Sequence, residues 1–182
     1  MSAGNILRYI VAALDAAGIP SMVAGSFAAG FHGVQRSTYD IDIVIDPSKE
    51  ALDKFLHSLD QEAYYVSMDA AHDALRRRSM FNVIEMASNW KVDLIVRKNR
   101  PFSVEEMQRR AEGTILGVDL HVTTVEDSIL SKLEWAKAGE SNRQLEDVRE
   151  LVKVHGSRLD RPYLERWIAE LELEEQWRKV QP

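Results

Sequence analysis

Cysteine is absent from the 182 residues, which excludes a disulfide framework and any thiolate metal site and makes a reducing cytoplasm the simplest expected compartment. No apolar run approaches the length a membrane-spanning helix needs, so no membrane partner is expected. The histidines, His32, His57, His72, His121 and His155, are scattered, and no two stand at the spacing of a histidine metal site. Basic charge is also in short supply. A formal net charge of −6 argues against a broad electrostatic grip on a phosphate backbone, and a small anionic ligand would need a bound cation. Internal repeats and low-complexity tracts are missing too. The stretch from Asn5 to Ala17 carries Arg8 and Asp15 inside it and ends at Gly18-Ile19-Pro20, which predicts a helix and not a secretory signal.

What remains is a chain with 45% hydrophobic residues, enough for one core and a small helical addition. Ile6, Leu7, Ile10, Val11 and Leu14 recur at helical spacing. Ser21 to Ala24 reads as a short strand running into Gly25, and Ser26 to His32 as a short helix with Ser26 as its N-cap. From Tyr39 to Asp46 the pattern Asp-Ile-Asp-Ile-Val-Ile-Asp is strongly strand-like, with Ile41, Ile43 and Ile45 on one face and Asp40 and Asp42 on the other. A helix follows from Pro47-Ser48 to about Leu59, and another is expected from Ala70 to Arg77. Phe81 to Met86 and Trp90 to Val96 read as paired strands around Ser88-Asn89. Ser103 to Ala111 reads as a helix with Ser103 and Glu106 forming a capping box, and Gly117 as the turn of a hairpin between Thr114 to Leu116 and Val118 to Thr123. Val125 to Lys137, Arg143 to Val154 and Pro162 to Trp177 read as three amphipathic helices. The order predicts an α+β fold, a mixed β-sheet flanked by helices with a C-terminal helical lobe, divided as 1–123 and 124–182.

Three features carry chemistry. Asp40 and Asp42, at i and i+2 on one strand, point the same way and can converge on cations, although a solvent-facing strand edge has the same pattern. Asp93 sits inside Val92-Asp93-Leu94-Ile95-Val96, where a charge is costly to bury unless it is paired, by Lys91 for example, or metal-bound, or turned to water. If its strand neighbours that of Asp40 and Asp42, three like charges meet and a divalent ion such as Mg²⁺ relieves the repulsion. Gly25 allows close backbone approach to a phosphate, and Ser26 adds a hydroxyl and the free amides of a helix start; an ordinary strand-to-helix turn looks the same.

Val23-Ala24-Gly25-Ser26, then thirteen residues, then Asp40-Ile41-Asp42-Ile43, with Asp93 on a later strand, resembles the DNA-polymerase-beta-like nucleotidyltransferase superfamily. Downstream, Glu126 to Leu133 and Arg143 to Leu151 resemble the C-terminal motifs of AbiEii-type toxin nucleotidyltransferases and their stand-alone relatives, with Arg143-Gln144 where that group has Lys-Asp. The resemblance implies the nucleotidyltransferase fold and an enzyme of the EC 2.7.7 type. It implies that Asp40, Asp42 and Asp93 hold two Mg²⁺ ions, Mn²⁺ being an alternative, and act in catalysis. It further implies that Gly25, Ser26, Lys132 and Asp147 bind the nucleotide, with Lys132 and Asp147 open to the alternative of an inter-helix salt bridge. Arg36 would contact phosphate or Asp40, or sit exposed in its loop. The partners implied are an NTP, a hydroxyl acceptor (a tRNA, a protein or a small molecule) and an antitoxin; the competing reading is a non-catalytic nucleotide-binding or partner-regulating module.

Other clusters invite plainer readings. Arg76-Arg77-Arg78 with Arg97, Lys98 and Arg100 is either a rim for RNA or a solvated face. Trp135, Trp167 and Trp177 read as packing or interface residues, and His32 as structural. Leu164, Trp167, Ile168, Leu171 and Trp177 offer apolar surface for a homodimer.

Overall fold

The first helix, α1 (Ala3–Ala17), begins where the Ser2 hydroxyl accepts the amide of Asn5 and ends at Gly18, whose left-handed φ of 73° lets its own amide and that of Ile19 close on the carbonyls of Asp15 and Leu14. Its stripe of Ile6, Leu7, Ile10, Val11 and Leu14 is buried. The computed structural model describes residues 1–34, 37–139 and 141–181. The elements after α1 are β1 (Ser21–Val23), α2 (Gly25–Phe31), β2 (Asp40–Ile45), α3 (Lys49–Ser58), β3 (Tyr64–Val66), α4 (Met68–Arg77), β4 (Met80–Glu85), β5 (Trp90–Val96), α5 (Pro101–Arg109), β6 (Ala111–Ile115) and β7 (Val118–Val122). Then come α6 (Val125–Gly139), α7 (Asn142–His155), a 3-10 turn (Gly156–Arg158), α8 (Arg161–Glu170) and α9 (Glu174–Arg178).

The strands form one mixed sheet in the order β3-β4-β5-β2-β1-β7-β6. Its centre is the parallel pair β2 and β5, flanked by the antiparallel neighbours β4 and β1; β1 also pairs in parallel with β7. The alternation of β2 sends Ile41, Ile43 and Ile45 into a core built with α1, α3 and α4. A second core gathers Ile129, Leu130 and Leu133 of α6, Val148 and Leu151 of α7, and Leu164 and Trp167 of α8, with Ala29 of α2 and Phe102 of α5. Thus α2 and α5 bind the sheet to the later helices.

Several sequence expectations are corrected. Ser26 lies inside the first turn of α2, whose N-cap position is Ala24. Ser103 is not a cap either: Pro101 occupies the first turn of α5, where its missing N–H is harmless, and Ser103 and Glu106 are buried against Arg100 and Ser131. The helix expected from Pro162 to Trp177 breaks at Glu172, which has φ 55°, so that Leu173 can enter the core. The three-residue strand β3 is an element the sequence reading lacked. The homodimer surface is largely used within the chain: Leu164, Trp167 and Ile168 are buried, and Leu171 and Trp177 pack against the same core. Of Trp135, Trp167 and Trp177, read as packing or interface residues, Trp135 is largely exposed, at 60%. No helix among the described residues is long and apolar enough to cross a membrane.

Candidate active site

Parallel pairing of β2 with β5 sets the site. The register places Asp42 opposite Asp93 and Asp40 opposite Lys91, so the three carboxylates and one ammonium share a single face of the sheet. Lys91 Nζ lies 3.1 Å from Asp93 Oδ2 and 3.5 Å from Asp40 Oδ1. On the other side β4 brings Asn82 opposite Asp93, and the Asn82 amide donates to Asp93 Oδ1. Asp93 is thereby nearly enclosed, at 6% exposure, with both carboxylate oxygens engaged.

Asp42 stands in the opposite electrostatic situation. Burial pushes its carboxyl above the usual range, and the charges of Asp93 and Asp40 push it further, against smaller pulls from Lys132 and Lys91. Directly over it runs the turn that follows β1. Gly25 has φ 60°, and a Cβ there would fall 1.8 Å from Asp42 Oδ2 and 2.6 Å from Cγ, so only glycine fits. The Ala24 amide also donates to the Asp42 carbonyl at 2.9 Å, fixing the turn to the acidic strand.

From the helical side, Lys132 of α6 donates to Asp147 of α7 at 2.7 Å and to Gln144 Oε1 at 3.3 Å. Both ends of the ion pair are buried. The inter-helix salt bridge is therefore real, and the charge of Lys132 still reaches Asp42. Arg36 lies outside the described residues.

The structure brings together Gly25, Asp40, Asp42 and Asp93, and Ser26 is buried in the turn after Gly25. Asn82 was missed by sequence reasoning, although the expected β4–β5 hairpin contained the signal: pairing Glu85 with Trp90 across the turn sets Asn82 against Asp93. Gln144, where the motif lacks its acidic residue, meets Lys132 instead.

The donor set suits a hard divalent cation, since it is all oxygen and carries excess negative charge around a carboxylate that its neighbours already disfavour. Among the described residues, however, no three acidic or histidine side chains already stand as a metal cluster. A monovalent cation, the Lys91 ammonium, spans Asp40 and Asp93.

The arginines of the basic cluster meet carboxylates within the chain. Arg76 and Arg77 pair with Asp73, Arg78 and Arg97 with Asp46, and Arg100 forks onto Glu134 at 2.6 Å through both terminal nitrogens. His32 is structural, its Nε2 lying 2.8 Å from the Thr123 carbonyl, while His155 Nε2 approaches the His32 carbonyl at 2.9 Å. Burial lowers the His32 pKa.

No protein-family model and no curated protein matches the sequence. Solved structures do match in shape. ANT(2″)-Ia in complex with adenylyl-2″-tobramycin aligns with a TM-score of 0.60 at 15% identity, over 96% of this chain and 98% of that one. An antigenic nucleotidyltransferase-like protein from Paracoccidioides brasiliensis gives 0.57 at 15%, over 97% and 92%. Lincomycin-bound LnuA, a lincosamide antibiotic adenylyltransferase, gives 0.55 at 13%, over 82% and 96%. With the mixed seven-stranded sheet and its flanking helices, these likenesses define the chain's architecture as the nucleotidyltransferase fold.

Proposed function

We propose that the protein transfers a nucleoside monophosphate from an NTP to a hydroxyl acceptor, with Asp40, Asp42 and Asp93 holding divalent metal, Mg²⁺ or Mn²⁺. The observation that carries this reading is the register of Asp42 against Asp93 beneath a glycine that leaves no room for a side chain. In the transfer the acceptor oxygen bonds to the α-phosphorus, the bond from that phosphorus to the pyrophosphate oxygen breaks, and pyrophosphate leaves. Asp93 accepts the hydroxyl proton. Ser26 and the amides after Gly25 hold the outer phosphates, while Lys132, tied to Asp147, directs positive charge to the triphosphate; Arg36 is a further phosphate contact in this reading. Bound metal supplies neutralising charge for the triphosphate and the entering oxygen. We assign 1–123 as the catalytic core and 124–182 as the helical lobe that closes the nucleotide side.

Among acceptors, a small hydroxylated molecule is favoured over RNA. The chain carries −6 net charge, and the arginines that would have gripped a phosphate backbone are occupied by Asp46, Asp73 and Glu134. Two structural neighbours are bound to adenylyl-2″-tobramycin and to lincomycin, which makes aminoglycosides and lincosamides the first acceptors to try. The AbiEii-like motifs keep tRNA and a toxin role, with its antitoxin partner, in the panel. Each NTP, labelled at the α-phosphate, is to be incubated with the chain, Mg²⁺ and tobramycin, lincomycin, tRNA or protein. Label is expected in a small-molecule product; nucleotide binding without transfer to any acceptor would support the non-catalytic module instead.

A further inference from the structure

We infer that Lys91 is a built-in counter-ion for the acidic site, holding the carboxylates together when no metal is present and giving way when a divalent ion enters. The inference rests on the metal-dependent reading above. It goes beyond that reading by giving a positioning role to a residue outside the motif.

Three observations lead to it. First, Lys91 is placed by the sheet and not by chance contact: it is two residues before Asp93 on β5, hence on the same face, and it stands in register with Asp40 on β2. Second, its ammonium is shared between strands, 3.1 Å from Asp93 Oδ2 and 3.5 Å from Asp40 Oδ1, so it bridges two of the three residues assigned to metal. Third, Asp93 is already held on its other oxygen by Asn82, which leaves the oxygen facing Lys91 as the one to be exchanged.

Like charges this close destabilise the fold unless a cation stands among them. A lysine supplies one on a long, flexible stem, and the side chain is 38% exposed, so it can leave towards water without disturbing the strand. A dication held by these carboxylates would repel the ammonium and replace it. Lys91 thus stabilises the metal-free protein and weakens metal affinity by competition, two effects of opposite sign from one residue. A lysine that merely supported the strand would give the first effect without the second.

The test uses Lys91→Gln and Lys91→Arg in the full chain, with Mn²⁺ as the probe. Wild type, the two variants and Asp42→Asn are melted in EDTA and in MnCl₂, and Mn²⁺ affinity is measured by calorimetry. Lys91→Gln is expected to melt lower than wild type in EDTA, to gain more from Mn²⁺ and to bind it roughly tenfold more tightly. Lys91→Arg, which keeps the charge, is expected to stay near wild type in EDTA. Unchanged Mn²⁺ affinity in Lys91→Gln, with wild type binding the ion and Asp42→Asn not, overturns the counter-ion role and leaves the metal site standing. If wild type binds no Mn²⁺ with or without NTP, both readings fall. Should Lys91→Gln not fold, the wild-type lysine ammonium NMR signals decide: a Lys91 resonance held in EDTA and released by Mg²⁺ is expected, and one indifferent to Mg²⁺ overturns the inference.

Discussion

At Asp42 and Gly25 the two sides of the site press on each other. Asp42 is raised by burial and by two neighbouring carboxylates, so its ionised form is the destabilising one in the fold. Its stabilising contribution is greatest at low pH and is lost as pH rises through the shifted value. Asp42→Asn removes that charge at nearly constant shape. It is expected to melt at the same temperature as wild type or higher at pH 8, yet to lose nucleotide transfer by at least about a hundredfold. Transfer that persists in the Asn variant would refute the assignment. Gly25→Ala should act differently. The new methyl group would overlap the Asp42 carboxylate, and φ 60° is unfavourable for alanine, so a loss on the order of 1–3 kcal/mol is expected together with weaker nucleotide binding. Thermal melts and calorimetry with NTP and Mg²⁺ measure the two losses separately.

Secondary structure shows where sequence patterns suffice and where they do not. The β2 strand was legible because Asp40 to Ile43 alternate polar and apolar residues before the apolar Val44-Ile45, and α1 because its apolar stripe ends at a left-handed glycine. Local signals failed where tertiary contact decided. Ser103 and Glu106 have the spacing of a capping box, but Pro101 starts the helix earlier and burial turns both inward. The α8–α9 break was hidden because the apolar period continues past Leu171 while Glu172 turns left-handed. The acidic pair was readable in one strand; the partnership of Asp93 with Asn82, and the span of Lys91 to Asp40, needed the register of three strands. The β6–β7 hairpin yields a prediction of its own. Its two-residue turn is Leu116-Gly117, both at positive φ, 51° and 73°, where Asn-Gly is the favoured pair. Leu116 is 55% exposed, so little packing opposes a change. Leu116→Asn is expected to stabilise by about 0.5–1 kcal/mol, read as a midpoint shift in chemical denaturation.

Across the whole molecule, the sheet and the later helices meet through buried charge as well as apolar packing. Glu106 of α5 faces α6, where Ser131 donates to it at 3.0 Å, with Glu134 and Arg100 beyond and Asp127 nearby. Burial is the largest influence on Glu106, and Asp127 and Glu134 add to it against Ser131 and Arg100; together they push its pKa up to about 8 from 4.5. Asp127 shifts the same way by burial, while accepting from Thr124 and Tyr163. For Glu106 the neutral acid is therefore the form that fits this junction. A carboxyl raised in the fold binds its proton more tightly there than in the unfolded chain, so its contribution is intact below about pH 4.5 and is lost as pH climbs through about 8. Stability is expected to decline across that window by a few kcal/mol, on the order of 5–10 °C in melting temperature for a chain of this length. Glu106→Gln keeps the shape and an acceptor for Ser131 without a charge to bury. It should flatten the decline and melt above wild type at pH 8.5 while differing little at pH 5; parallel pH profiles for the two proteins would show that Glu106 is ionised at neutral pH and that the junction tolerates its charge.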